Sequence, residues 1–141
     1  WGEVATKSSY DAANSKYYKK SAQDVSGDKA SDVAAAKWGS GWRMPTLAEL
    51  KELKNKCTWT WTTQNAVNGY KVTGPNGNSI FLPAAGYRNC YGGVNHVGTH
   101  GRYWSSTPND SDYAWYLYFF SSEVGMGCED RCLGLSVRLV Q

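Results

Sequence analysis

The strongest structural signal in the chain is the stretch Trp42-Arg43-Met44-Pro45-Thr46-Leu47-Ala48-Glu49-Leu50-Lys51-Glu52-Leu53. Thr46 followed by Glu49 is a capping box, in which each side chain accepts a hydrogen bond from the other residue's backbone N–H. Pro45 directly precedes this cap and supports a helix start here. Leucines then recur at helical spacing, at Leu47, Leu50 and Leu53. The stretch therefore predicts a helix from about Thr46 to Lys54.

Upstream of this helix the pattern is weaker. Residues 28–37 are rich in alanine and favour a short helix, which Gly39 and Gly41 would end. Residues 1–27 show no clean period and predict loop with at most one strand.

Downstream of the helix at 46–54, the residue pattern becomes typical of β-strands. Residues 58–63 alternate threonine and tryptophan at period two. Residues 70–73 and 80–82 flank an Asn-Gly turn and predict a hairpin. Residues 86–102 read as a long glycine-rich loop, and three further strands are predicted at 103–106, 114–120 and 135–140. Two helices followed by five or six short strands predict an α+β fold, loop-rich, with a small antiparallel sheet in a single domain spanning 1–141.

Composition restricts the function classes. The chain has 141 residues, of which 41 % are hydrophobic and 19 % charged, which suits a globular domain with a core. The net charge of +3 is too small for a nucleic-acid partner, and no apolar stretch reaches the roughly 18 residues needed for membrane insertion. The aromatic content of 14 % is high. It fits either a binding surface or a loop-rich core that needs large side chains.

The cysteines and histidines are the candidate metal ligands in the sequence. Four cysteines, at 57, 90, 128 and 132, permit two disulfides with three pairings, and no C-x-x-C pair exists. His96 and His100 have the i, i+4 spacing that chelates a metal on a helix, but the glycines around them make helical geometry an unfavourable expectation. We therefore expect no metal site and no cofactor.

Motifs for catalysis are missing from the sequence. The chain contains no G-x-S-x-G, no G-x-G-x-x-G after a strand and no P-loop. Cys128 and Cys132 flank Arg131, and a neighbouring cation can lower the pKa of a thiol. The alternative is that both are ordinary loop cysteines, which we favour. The sequence therefore predicts a protein that is not an enzyme.

Five segments resemble the major paralogous (FISUMP-type) domain family of gut bacteria and their phages. They are GWRMPTLAELKEL (41–53), CTWTWTTQNAVNGYKVTGPNGNSIFLPAAGYRN (57–89), GRYWSSTPND (101–110), A-x-x-L-x-F (Ala114, Leu117, Phe119) and GLSVRLV (134–140). The likeness covers roughly residues 35–141, and members usually carry another strand before the position of Trp1, so we expect a trimmed N-terminus. That family resembles C-type-lectin-like domains of the formylglycine-generating-enzyme type and the variable proteins of diversity-generating retroelements. The resemblance implies a C-type-lectin-like fold, two helices around a twisted sheet, with a variable C-terminal region at about 90–133.

Alternation within that region separates two faces. Leu117 and Phe119 are predicted to point to the core together with Trp104 and Val137, whereas Tyr116, Tyr118 and Phe120 point to the other face. Val124 and Met126 are expected to point toward the core, and Gly125 and Gly127 to lie on the outward face. The predicted ligand-binding residues are Tyr91, His96, His100, Arg102, Tyr113, Tyr116, Tyr118, Phe120, Gly125, Gly127, Cys128, Cys132 and Leu133.

The functional prediction is a ligand-binding domain on a cell or virion surface, or secreted, with a protein or glycan partner. Calcium-dependent sugar binding is not expected, because Pro75-Asn76 lacks a preceding Glu and Pro108-Asn109-Asp110 lacks the Trp of the lectin motifs. One alternative is an oxidase of the formylglycine-generating type that uses Cys128 and Cys132. Another is a structural surface domain whose aromatic residues all belong to the core.

Overall fold

The computed structural model describes residues 1–141 and contains two helices and eight strands, which confirms the α+β class. Neither helix is long and apolar enough to cross a membrane. In chain order the elements are α1 Val33–Trp38, α2 Leu47–Lys56, β1 Thr58–Gln64, β2 Val67–Thr73, β3 Ser79–Pro83, β4 Tyr87–Arg88, β5 Val94–Asn95, β6 Gly101–Pro108, β7 Tyr113–Phe120 and β8 Glu123–Asp130.

Side-chain caps fix where both helices begin. The predicted capping box is present: the Thr46 hydroxyl accepts from the Glu49 N–H, and the Glu49 carboxylate accepts from the Thr46 N–H at 2.8 Å. The first helix begins later than predicted, because the buried Asp32 carboxylate accepts from the N–H groups of Ala34 and Ala35. The other carboxylate oxygen of Asp32 accepts from the Met44 N–H at 2.8 Å. This residue therefore ties α1 to the segment that leads into α2.

The first sheet has the order β1-β2-β3 and consists of two antiparallel hairpins. The predicted hairpin at the Asn-Gly turn is confirmed, with Gly77 at φ 81°. A second tight turn, at Asn65-Ala66, joins β1 to β2 and was not predicted. Both of its residues have positive φ, 49° and 63°, as a two-residue hairpin turn of this hand requires. An alanine at such a position gives no sequence signal.

The expected loop 86–102 is partly ordered by a small hairpin. In it β4 pairs with β5, with Tyr87 opposite Asn95. This hairpin projects Tyr87 toward the start of β6, where the candidate site lies.

The third sheet has the order β6-β7-β8 and forms the centre of the molecule. Along it Trp104 lies opposite Tyr116, and Tyr118 lies opposite both Arg102 and Gly125. The prediction of a strand at 135–140 was wrong. That segment makes only isolated bridges, such as Tyr103 with Ser136 and Arg43 with Val140. Its place in the sheet is taken by β8, which is joined to β7 by a short turn.

Apolar clusters cover both faces of this third sheet. One contains Leu117, Phe119 and side chains of α2 and the first sheet, with Val124 and Met126 packed against it. The inward orientation predicted for these four residues is confirmed. The opposite cluster joins Trp104 and Tyr116 to side chains from the N-terminal segment, with Val137 packed against it. Because the third sheet is sandwiched, β7 carries core residues on both of its faces.

A disulfide joins Cys90 to Cys132, with a Cα–Cα distance of 5.3 Å, and Cys57 and Cys128 are free. The bond connects the β4–β5 hairpin to the segment that follows β8. It thereby holds the hairpin against the cluster that contains Trp104.

Candidate functional site

An open surface on one side of the third sheet gathers five aromatic side chains around Arg102. Its residues come from the β4–β5 hairpin, the turn at 96–100, β6 and the end of β7. We call it the Arg102 face, and it consists of Tyr87, His96, His100, Arg102, Tyr118 and Phe120. Five of these six residues were predicted to bind ligand, and the structure brings those five together.

Arg102 is held in a fixed position at the centre of this face. Its guanidinium carbon lies 3.9 Å from the centroid of the Tyr87 ring and 5.6 Å from that of Tyr116. Its Nη1 donates to a Glu129 carboxylate oxygen at 2.9 Å. A planar guanidinium stacks well on aromatic rings and keeps its other N–H donors available for a partner. Arg102 therefore combines an ordered position with unused hydrogen-bonding capacity.

The two histidines lie side by side at one edge of the face. The His100 N–H donates to the His96 carbonyl at 3.0 Å, so residues 96–100 close a tight i→i+4 turn, in which His96 and Gly98 have φ of 57° and 79°. The ring centroids are 4.4 Å apart, and His100 also contacts the Phe120 ring at 5.4 Å. The expectation that the glycines prevent helical geometry here is confirmed, because His96 and Gly98 both have positive φ. Partial burial lowers the pKa of His100, and the charges of His96 and Arg102 lower it further.

Tyr118 forms the other edge of the face. Its hydroxyl donates to the Glu123 carboxylate at 2.6 Å, across the β7–β8 hairpin, and this hydrogen bond raises the pKa of Tyr118. Its ring lies directly against Gly125, where a Cβ would collide with it. Gly125 was predicted to contact ligand, but the Tyr118 ring covers it. Its role is to let that ring lie flat on the sheet.

Tyr116 was predicted to be exposed and is buried, with only 7 % of its surface accessible. Its ring packs edge-on against Trp104, with centroids 6.0 Å apart, and lies over Gly127. Burial raises the pKa of its hydroxyl. The prediction for Tyr116 and Gly127 fails because the N-terminal segment and residues 131–137 cover this part of the strand face. Period-two alternation shows which side a residue is on, but not what packs there.

Two further predicted site residues belong to the interior. Leu133 is 8 % exposed and lies in the same cluster as Trp104. Cys132 is buried in its disulfide with Cys90. Neither can contact a ligand on the Arg102 face.

The remaining predicted residues are exposed but lie elsewhere. Tyr91 is 96 % exposed in the turn of the β4–β5 hairpin. Tyr113 is 40 % exposed and stands at the opposite end of β7 from Phe120. Cys128 pairs with Trp115 and so lies on the side of Leu117 and Phe119, not on the Arg102 face.

The cysteine arrangement does not match the oxidase alternative. That alternative requires a pair formed by Cys128 and Cys132, but Cys132 is bonded to Cys90. Partial burial and the carboxylates of Asp110 and Glu129 raise the pKa of the Cys128 thiol. A raised pKa leaves less thiolate, which is the nucleophilic form.

Sequence reasoning missed Tyr87, Glu129 and Glu123. Tyr87 lies in a segment that reads as framework, and the two glutamates are ordinary surface residues in the sequence. Only the pairing of β8 with β7 places Glu129 beside Arg102 and Glu123 beside Tyr118. A tyrosine in a glycine-rich stretch was the one available signal for Tyr87.

Two concave regions lie away from the Arg102 face. A cavity of about 200 Å³ lies beneath Trp1 and is bordered by Ser15, Met44 and Arg131. A shallow apolar groove is lined by Trp38, Trp42 and Leu139, among others. Neither includes a residue of the Arg102 face, which is an open surface and suits an extended ligand better than an enclosed small substrate.

The fold and this surface define a small α+β domain whose central sheet presents an aromatic face built around a stacked arginine. The sequence model of the Lcl C-terminal domain family matches residues 1–141, and the chain belongs to that family. Neither the curated proteins nor the solved structures include a significant match to the chain.

Proposed function

We propose that this chain is a ligand-binding domain, not an enzyme, and that it binds a protein or glycan through the Arg102 face. The observation that carries the proposal is the ordered cluster of Arg102, Tyr87 and Tyr118 on an open surface. Arginine and tyrosine dominate the energetic centres of protein interfaces. Aromatic rings also offer flat apolar surfaces on which a sugar ring or a protein side chain can pack.

Preorganisation supports binding by these residues. Arg102 is held by Glu129 and Tyr87, and Tyr118 is held by Glu123. Side chains that are already ordered lose little conformational entropy when a ligand arrives. The face can therefore bind without first rearranging.

The proposal includes a diversified surface on a constant framework. The resemblance to variable proteins of diversity-generating retroelements, and to the C-type-lectin-like fold, supports variation in the region of about 90–133. Partly exposed residues of the face, such as His100, Arg102 and Tyr118, are the candidates for variation. Tyr116, Cys132 and Leu133 are buried and belong to the framework instead.

We also propose that the domain is displayed outside the cytoplasm, on a cell or virion surface or as a secreted protein. The support is the Cys90–Cys132 disulfide, because such bonds persist mainly in oxidising compartments. A ligand on another cell surface would then be accessible to the Arg102 face.

A comparison of two tyrosines tests the proposal. The parent protein is screened against arrays of glycans and cell-surface proteins, and each hit is measured with Tyr118→Ser and Tyr113→Ser. Both side chains lie on β7, but only Tyr118 lies on the Arg102 face. We expect Tyr118→Ser to weaken binding by roughly thirtyfold, as for a hot spot of about 2 kcal/mol. We expect Tyr113→Ser to leave binding unchanged.

Two results would overturn this proposal. Equal losses in both variants would place the binding surface elsewhere. A parent protein that binds nothing in broad screens would favour the structural-domain alternative.

A further inference from the structure

We propose that His96 and His100 form a two-imidazole binding site for a divalent transition-metal ion such as Cu²⁺, Ni²⁺ or Zn²⁺. This inference goes beyond the proposed function, because it concerns metal binding by the domain alone. It is independent of any protein or glycan ligand.

The backbone brings the two imidazoles to a chelating separation. The i→i+4 turn closed by the His100 N–H and the His96 carbonyl places their ring centroids 4.4 Å apart, with an angle of 49° between the rings. Metal–nitrogen bonds of about 2.1 Å put the centroids of two imidazoles on one ion on the order of 5 Å apart. The observed separation of the two rings is therefore close to that of a two-imidazole chelate.

Thr99 orients the His100 ring. Its hydroxyl lies 3.0 Å from His100 Nδ1 and itself donates to the His96 carbonyl at 3.0 Å. A ligating histidine commonly uses one ring nitrogen for a hydrogen bond and the other for the metal. His100 is therefore set to offer Nε2.

The surroundings select the kind of ion. Arg102 is the nearby cation, and it is paired with Glu129 at 2.9 Å. No three histidine, cysteine or carboxylate side chains lie close enough together to hold one metal ion. An ion on the two imidazoles would therefore keep open positions for water or an external ligand. Imidazole ligands without carboxylates suit Cu²⁺, Ni²⁺ and Zn²⁺ and are poor ligands for Ca²⁺ and Mg²⁺.

The test is metal titration by calorimetry on tag-free protein at pH 7.5, with Cys57→Ala and Cys128→Ala to remove free thiols. The chain has only two histidines, so no other imidazole can contribute. We expect one ion per chain, Cu²⁺ tighter than Ni²⁺ or Zn²⁺, and no binding of Ca²⁺ or Mg²⁺. His96→Ala and His100→Ala should each abolish measurable binding of Ni²⁺.

Two further variants separate the chelate from a nonspecific effect. Thr99→Val should weaken Ni²⁺ binding by about tenfold, the usual effect of losing a hydrogen bond to a ligand. Val97→Ala is the matched control, because Val97 is exposed in the same turn and offers no ligand atom, and it should bind as the parent does. Affinity should fall sharply between pH 7.5 and pH 5 as protons compete for the imidazoles.

A spectroscopic measurement keeps the proposal falsifiable if a histidine variant fails to fold. In the parent protein, substoichiometric Cu²⁺ should broaden the ring proton signals of both histidines together. Broadening of one histidine only, or unchanged Ni²⁺ affinity in folded His96→Ala, would overturn the chelate. Absence of binding at millimolar metal would also overturn it.

Discussion

The guanidinium carbon of Arg102 lies 3.9 Å from the centroid of the Tyr87 ring, although the two residues belong to different sheets. This stack joins the β4–β5 hairpin to β6 at the centre of the proposed binding face. The Cys90–Cys132 disulfide anchors the same hairpin to the segment after β8. One noncovalent contact and one covalent bond thus position Tyr87.

The Arg102–Tyr87 stack should be measurable as a coupling energy. We expect a double-mutant cycle with Arg102→Ala and Tyr87→Leu to give about 0.5–2 kcal/mol, the range for cation–π pairs. Urea denaturation of the four proteins provides the measurement. Additive effects of the two substitutions would show that the stack contributes nothing to stability.

Substitutions of Tyr116 and Tyr118 should differ strongly in their effect on the free energy of unfolding, although both side chains lie on one side of β7. Tyr116→Ala removes a buried ring and should lower the free energy of unfolding by about 3–5 kcal/mol. Tyr118→Ser changes a partly exposed side chain at the edge of that cluster and should stay within about 1 kcal/mol of the parent. Thermal and urea unfolding distinguish the two. Equal losses would place Tyr118 in the core as well.

Two glycines that lie against aromatic rings should respond differently to alanine. Gly101 faces the buried Phe119 ring, which cannot move away, so Gly101→Ala should strongly destabilise the fold. Gly125 faces the Tyr118 ring at the surface, which can swing outward. Gly125→Ala should therefore keep the fold but break the Tyr118–Glu123 hydrogen bond, visible as a lower pKa for Tyr118 in an ultraviolet titration. An unchanged titration would contradict this geometry.

Glu49 should contribute to the acid sensitivity of the fold. Hydrogen bonds from Arg43 hold the pKa of its carboxyl near 2, below the ordinary value of 4.5. A carboxyl whose pKa is lowered in the folded state stabilises the fold at pH values above its ordinary pKa of 4.5. This stabilisation is lost as pH falls from about 4.5 to 2. Glu49→Gln should reduce the dependence of the melting temperature on pH in this window. An unchanged dependence would argue against the Arg43–Glu49 ion pair.

Removal of the Cys90–Cys132 disulfide should lower the free energy of unfolding by about 2–5 kcal/mol, because the loop it closes in the unfolded chain is long. The variant for this measurement is Cys90→Ser with Cys132→Ser. In the unreduced parent, alkylation after denaturation should modify only Cys57 and Cys128, as mass spectrometry would show. Modification of Cys132 would refute the pairing.

The sequence by itself determined the elements whose signals are local. The capping box of Thr46 and Glu49 defined where α2 begins, because both partners lie within one helical turn. The Asn-Gly turn defined the β2–β3 hairpin, and alternation along β7 identified Leu117 and Phe119 as core residues. These features depend only on backbone geometry and on residues close in the chain.

The tertiary structure alone decided what covers the second side of the central sheet. Alternation placed Tyr116 and Tyr118 on the same side, but residues far away in sequence bury one and leave the other at the surface. For the same reason, the sequence did not determine that Cys132 bonds to Cys90 or that Arg102 stacks on Tyr87. Each depends on contacts between segments separated by many residues, and no local propensity encodes which segments meet.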